Sequence, residues 1–325
     1  MSASPLDVLQ AFVGSPKPTR TAATLILLRD GVLGVEVLLT RRSGGAGFMA
    51  GATVFPGGKV DAGDAELGPA PSASARVDDL RAAQSSRATD PADEAAAGPS
   101  AAAFFGAAVR ELCEEAGVVL ARDRTTGEAI AVDQAQAIAR AVAGERRGHR
   151  VPTGAFARAL AAAGALADLG GVVPCAWWLT PKVEPVRFDT LFFAAALPEG
   201  QEATVDGVEG VAAGFYRPAA ALADHRVNGP IALPPPTLHT LERLVTLEPS
   251  LPGRGGAKAM CQALADAGLG ERLLPHFVAM TQAGPTLAMP DDPLHPAALP
   301  SDHARVNRFV LRGGRFDRIQ RDARL

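Results

Sequence analysis

The chain has 325 residues, of which 47% are hydrophobic and 21% charged, with a formal net charge of −3. That size holds one elaborated domain or two small ones, and that balance gives no footing for a nucleic-acid partner. Cys113, Cys175 and Cys261 are too scattered for a disulfide framework, and no stretch approaches the roughly 20 apolar residues of a membrane span, so a cytoplasmic protein without membrane contact is expected.

Met1 to Arg20 lacks the apolar core of a signal peptide. Thr21 to Leu28 and Gly34 to Thr40 read as strands, with a hairpin signal at Arg29-Asp30-Gly31. A glycine-rich stretch from Gly44 to Gly51 follows. Ala52 to Phe55 then runs into Pro56-Gly57-Gly58, a tight turn where backbone must come close to something. From Asp64 to about Pro99 the chain is rich in Ala, Ser, Asp, Arg and Pro and poor in large apolar residues, which reads as a partly helical or mobile insertion, roughly 65–99.

Ser100 can cap a helix over Ala101 to Ala116 that stops at Gly117. Helical stretches follow at Asp133 to Ala143 and Gly154 to Ala167, then strand-like runs at Val172 to Leu179, Asp189 to Ala196 and Val208 to Tyr216. After Pro234-Pro235-Pro236 come helices near Leu238 to Thr246 and Ala257 to Ala267. Arg305 to Leu311 and Arg315 to Ile319 form a terminal hairpin through Gly313-Gly314. The order of elements is α+β, with no regular βαβ array. The last residues, Ala323-Arg324-Leu325, approach an S-K-L type peroxisomal address, relevant only in a eukaryote.

On the Ala101 to Ala116 helix, Phe105, Val109, Leu112 and Ala116 share one stripe that can bury against a sheet. Glu111, Glu114 and Glu115 project elsewhere, at spacings where like charges repel by roughly 0.2–0.5 kcal/mol per pair. Two of them lie in the last turn, where the helix dipole favours cations. A hard divalent cation would remove both conflicts; a solvated acidic face is the plainer alternative.

Arg110-Glu111-Leu112-Cys113-Glu114-Glu115-Ala116-Gly117-Val118 resembles the second half of the Nudix signature, R-E-U-x-E-E-x-G-U, where U is a bulky aliphatic. Gly58 and Asp64 resemble its first half, G-x5-E, with aspartate replacing glutamate. The gap to Arg110 far exceeds the seven residues the family expects, and the insertion fills it. Phe48-Met49-Ala50-Gly51-Ala52-Thr53-Val54-Phe55-Pro56-Gly57-Gly58, Trp178-Leu179-Thr180-Pro181, Arg187-Phe188-Asp189-Thr190 and Pro234-Pro235-Pro236-Thr237 resemble the Nudix subgroup of peroxisomal coenzyme A diphosphatase type.

This resemblance implies an α/β/α sandwich with a mixed sheet over about 18–245, followed by a C-terminal extension over 246–325. It implies Mg²⁺ or Mn²⁺ held by the Gly58 carbonyl, Glu111, Glu114 and Glu115. Arg110 would orient the glutamates, and Glu111 or the later Glu209 would be the general base. Asp64 has a supporting part or is displaced by the insertion. Arg41, Arg42 and Arg187 are candidate phosphate contacts, with ion pairing as the commoner fate of such residues. Phe55 and Phe188 are candidates for stacking on a base, with core packing as the alternative. Adjacent Trp177 and Trp178 fall on opposite faces of a strand, and Cys113 is a packing residue.

The implied substrate is a small-molecule nucleoside diphosphate derivative, CoA or an acyl-CoA first and ADP-ribose or a dinucleotide second. A catalytically inactive Nudix-fold binding module is the reading from another class. A homodimer is the family default.

Overall fold

The computed structural model describes residues 19–43, 51–85, 99–148, 150–184, 186–204, 210–251, 256–281, 284–296, 298 and 305–322. β1 (Arg20–Gly31) and β2 (Gly34–Arg42) form an antiparallel hairpin that pairs Leu28 with Val37 and Gly31 with Gly34. Its turn is therefore Val32-Leu33, not Arg29-Asp30-Gly31. Tertiary partners hold the charged pair in the strand: Arg29 bridges Glu36 at 2.7 Å and stacks 4.0 Å from the Phe215 ring, and Asp30 accepts from the Ala257 amide at 2.6 Å.

β1 and β2 stay paired only near that turn. β3 (Thr53–Val54) takes over the free edge of β2, opposing Val54 to Thr40, and β4 (Gly57–Lys59) takes over β1, opposing Gly58 to Ala23. The connecting Phe55-Pro56 sits between, with the Leu25 amide donating to the Pro56 carbonyl at 2.9 Å. The hairpin thus splays towards the end that carries Gly57-Gly58.

The Asp64–Glu66 turn leads into α1 (Ala73–Ser85) and α2 (Ala101–Ala116), then β5 (Ala121–Asp123), α3 (Val132–Gly144) and α4 (Ala155–Ala162). β6 (Ala165–Ala167) pairs with β5, and β7 (Val173–Leu179), β8 (Phe188–Ala196) and β9 (Gly210–Tyr216) complete the main sheet. Its order is β3-β2-β1-β8-β7, with β4 on β1 and β9 on β2; β1 runs parallel to β8, which makes the sheet mixed. α5 (Pro218–Arg226), α6 (Pro235–Leu247) and α7 (Ala257–Ala267) follow. β10 (His276–Thr281), β11 (Gly284–Ala288), β12 (Arg305–Arg312) and β13 (Arg315–Asp322) form a second, antiparallel sheet.

Strand alternation divides the core in two. Ala23, Leu25, Leu27 and Phe193 face α2, where Phe105, Val109, Leu112 and Ala116 form the expected stripe, with α1, α3 and α4 contributing Val77, Ile138 and Phe156. Ile26, Leu28, Trp178 and Phe192 face the other way, onto Leu222, Leu241, Leu244, Met260 and Leu264 of α5 to α7. Leu287, Met289 and Phe309 of the second sheet join that second core. The layers are helix, sheet, helix, as the family resemblance implied.

Several local expectations are corrected. The helix expected over Gly154 to Ala167 ends at Ala162; Gly164, at φ +63°, turns the chain into β6, where pairing with β5 overrides the helix propensity of the alanines. α6 begins at Pro235, since proline is tolerated in the first helical turn. Neither α5 nor the β10–β11 hairpin was anticipated.

The insertion is partly core: Leu67 and Val77 are buried in the first cluster, and Arg81 lies 4.6 Å over the Phe104 ring. Ser100 makes no side-chain cap; instead Asp78 of α1 accepts from the Ala101 amide at 2.8 Å, so the insertion caps α2. Among the described residues, no helix is long and apolar enough to cross a membrane.

Candidate active site

α2 carries Arg110, Glu111, Glu114 and Glu115 in its last turns, and Gly117 closes it in the left-handed conformation at φ +67°. The helix reaches the Asp64 turn through Gly106, where a Cβ would lie 1.9 Å from the Asp64 carbonyl oxygen. That close approach brings Asp64 to Arg110. The guanidinium donates through Nε to Asp64 Oδ1 at 2.9 Å and through Nη2 to Oδ2 at 3.1 Å and to the Lys59 carbonyl at 2.7 Å. Nη1 turns the other way, to Glu111 Oε1 at 2.9 Å and Glu114 Oε1 at 3.4 Å.

Arg110 is 5% exposed. Burial disfavours its charge, but Asp64, Glu111 and Glu114 outweigh that and hold it above the ordinary arginine range. Burial lifts the Glu114 carboxyl above the ordinary carboxylate range despite the opposing pull of Arg110. The Gly57 amide donates to Glu115 Oε2 at 3.2 Å. A Cβ at Gly58 would meet Glu111 Oε1 at 2.3 Å, so the absent side chain is what leaves room for that carboxylate. Cys113 is buried and its thiol is pushed up by that burial, consistent with packing and with no role as a nucleophile.

A cavity of about 570 Å³ opens beside these groups. Gly57, Gly58, Lys59, Asp61, Arg110, Glu111 and Glu114 line it, together with Arg42, Arg150, Thr180 and Glu184 and the aromatic Phe55, Trp178 and Phe188. Burial raises the Glu184 carboxyl above its ordinary range. Among the described residues, no three His, Cys, Asp or Glu side chains stand together as a formed metal cluster, because Glu111 and Glu114 face Arg110 while Glu115 faces the Gly57 amide. The donor chemistry nonetheless fits a hard divalent cation: three carboxylates on one helix end, against a bare glycine turn.

The candidates from the sequence separate into three groups. Arg110, Glu111, Glu114, Glu115, Gly58 and Asp64 are brought together, and Phe55 and Phe188 line the cavity. Arg41 and Arg187 are not at the cavity. Arg41 is exposed, because strand alternation points it to the face opposite Arg42. Arg187 is 1% exposed and spends its Nε on the Thr180 carbonyl at 3.0 Å, holding the β7–β8 connection. Glu209 lies outside the described residues.

Of the candidate phosphate contacts Arg41, Arg42 and Arg187, Arg42 lines the cavity, and its buried Nε has no hydrogen-bond partner among the described residues. Glu184, Arg150 and the C-terminal Pro275, Leu287 and Phe316 also line it, and no sequence signal singled them out. Trp177 and Trp178 do fall on opposite faces: Trp177 donates to buried Asp189 within the first core, and Trp178 faces the cavity.

A family model described as the NUDT19 Nudix domain matches residues 13–244. Human acyl-coenzyme A diphosphatase NUDT19 is 30% identical over 317 residues, spanning 88% of this chain and 80% of the human protein. A crystal structure of a NUDIX hydrolase from Alicyclobacillus acidocaldarius, 27% identical, aligns with a TM-score of 0.54 over 75% of this chain and 96% of that one.

Proposed function

The chain belongs to the NUDT19-type Nudix hydrolases, and on that premise we propose that it hydrolyses the diphosphate linkage of CoA or an acyl-CoA. The observation that carries this reading is the meeting of the Gly57-Gly58 turn with Glu111 and Glu115, beside a cavity lined by Glu111 and Glu114 and by the aromatic Phe55, Trp178 and Phe188. Human NUDT19, by its name an acyl-coenzyme A diphosphatase, supports the choice of substrate.

Glu111, Glu114, Glu115 and the Gly58 carbonyl would hold Mg²⁺ or Mn²⁺, which supplies charge neutralisation at the diphosphate and activation of the attacking water. Arg110 is a positioning residue. Asp64 fixes its guanidinium plane from one side, so that Nη1 holds the Glu111 and Glu114 carboxylates from the other. Arg42 lines the cavity with an Nε that has no hydrogen-bond partner among the described residues, and its guanidinium suits a substrate phosphate. Glu111 is the general-base candidate within the described residues, and Glu209 is the second.

The test is product analysis with CoA, octanoyl-CoA, ADP-ribose and diadenosine compounds, with and without Mg²⁺. Cleavage of CoA with water must yield 4′-phosphopantetheine and adenosine 3′,5′-bisphosphate, only when the metal is present. Turnover confined to ADP-ribose or dinucleotides would replace the substrate assignment, and no turnover of any compound would favour a binding module.

A further inference from the structure

The cavity lining is of two chemical kinds. Glu111, Glu114 and the glycine turn are one; the other is apolar, with Phe55, Trp178 and Leu287 from the second core and Phe316 packed against it. Leu287 and Phe316 lie on β11 and β13, past residue 244 where the family match stops.

This wall is anchored from several directions. Leu287 is 6% exposed and belongs to the second core. The Phe316 carbonyl accepts from His225 Nε2 at 2.8 Å, a tautomer set by the Leu233 amide donating to Nδ1 at 3.1 Å. Arg318, two residues on, pairs with Glu242 of α6 at 2.7 Å. A wall held in this way is a preformed surface.

Within it, the Trp178 indole N–H is buried and has no acceptor among the described residues, although Trp178 is only 3% exposed. Buried donors are normally satisfied, and a ligand carbonyl placed against this one would satisfy it. A polyhydroxylated sugar offers little to such a wall, whereas an extended apolar arm with amide or thioester carbonyls matches both its surface and the Trp178 donor.

We infer that the segment after residue 246 builds a subsite for the apolar, carbonyl-bearing arm of the substrate, with Phe316 and Leu287 setting specificity and Trp178 donating to a carbonyl. The identity of the arm rests on the CoA reading above; the existence of the subsite does not.

Two fragments without a diphosphate linkage can be titrated in Mg²⁺ with no turnover: S-octanoyl-4′-phosphopantetheine for the arm and adenosine 3′,5′-bisphosphate for the nucleotide half. Calorimetry should show Phe316→Ala raising the Kd of the acylated fragment at least fivefold and leaving that of the bisphosphate within twofold. Trp178→Phe, which keeps an aromatic ring and removes the N–H, should do the same to a smaller degree, with melting curves of both variants confirming the fold. Absence of binding by the acylated fragment, equal loss for both fragments, or no loss for either overturns the subsite. Hydrolysis of CoA by the unmodified enzyme is a separate readout. Its absence alongside selective loss of the acylated fragment would remove the proposed reaction and leave the subsite standing.

Discussion

Asp64 and Arg110 meet in a two-point contact, Nε to Oδ1 at 2.9 Å and Nη2 to Oδ2 at 3.1 Å, with both side chains almost fully buried. The pair joins residues 46 positions apart and ties the start of the insertion to the helix bearing the glutamates. It also explains the shorter acid at position 64, which reaches the guanidinium directly because Gly106 lets the turn touch the helix. Asp64→Ala leaves a buried guanidinium short of its counter-charge, a loss on the order of 3–5 kcal/mol. Denaturant unfolding should show the midpoint falling at unchanged m-value, together with reduced turnover as Glu111 and Glu114 lose their fixed partner. An unchanged midpoint would show that the pair holds nothing.

The insertion behaves differently from its composition. Replacing Glu66–Glu94 with a Gly/Ser linker removes Leu67, Val77, the Asp78 cap of Ala101 and the Arg81 stack on Phe104. Cooperative unfolding should therefore be lost in that deletion. Asp78→Ala isolates the cap and should cost about 1 kcal/mol, the usual scale for a helix N-cap. A deletion that unfolds in one sharp transition at the original midpoint would return the segment to the status of a mere linker.

Much of the site was legible because its signals are local. The stripe Phe105, Val109, Leu112 and Ala116, the Gly117 stop and the acidic cluster lie within one helix, where a period of 3.6 decides everything. What was not legible depends on distant chain. Nothing near Asp64 announces Arg110 as its partner, and nothing in Arg41-Arg42 says which of the two faces the cavity until β2 is placed in the sheet. Leu287 and Phe316 sit in short strands without strong patterning, so their place in the cavity wall follows only from packing against the second core. Composition misled once, at Asp64 to Pro99, because a few apolar residues at the right places suffice to join a core.

His239 gives a pH dependence with a definite sign. Burial, with help from Arg318 and Arg243, holds its imidazole down to about 3 from an ordinary 6.5, and its ring stands edge-on to Trp178 at 5.4 Å. The unfolded chain therefore takes up this proton first, and stability falls as pH is lowered from 6.5 towards 3. Above that window both states are neutral and the residue contributes nothing to the slope. Melting temperatures of the parent and His239→Gln should run parallel above the window and converge, or cross in favour of the variant, within it. A constant difference down to the lower limit rules out His239 as a source of acid sensitivity.

Two glycines make opposite predictions when each receives one methyl group. At Gly58 the new Cβ would meet Glu111 Oε1 at 2.3 Å and its Cδ at 2.5 Å, the far end of a side chain that can swing aside. At Gly106 it would meet the Asp64 backbone oxygen at 1.9 Å, which can move only if the turn separates from the helix. Alanine is otherwise favoured over glycine inside a helix by about 1 kcal/mol, so any loss of stability at Gly106 must come from that collision. Gly106→Ala should lower the unfolding midpoint and loosen the Asp64–Arg110 contact. Gly58→Ala should keep the midpoint and displace the Glu111 carboxylate, and misplacement on the scale of 1 Å can cost about 10²-fold in rate. Both variants should be assayed at saturating Mg²⁺, so that weaker metal binding is not mistaken for slower chemistry. Full turnover by a folded Gly58→Ala would mean that the Glu111 position beside the glycine turn is not the one used in the reaction, and the role of base would pass to Glu209.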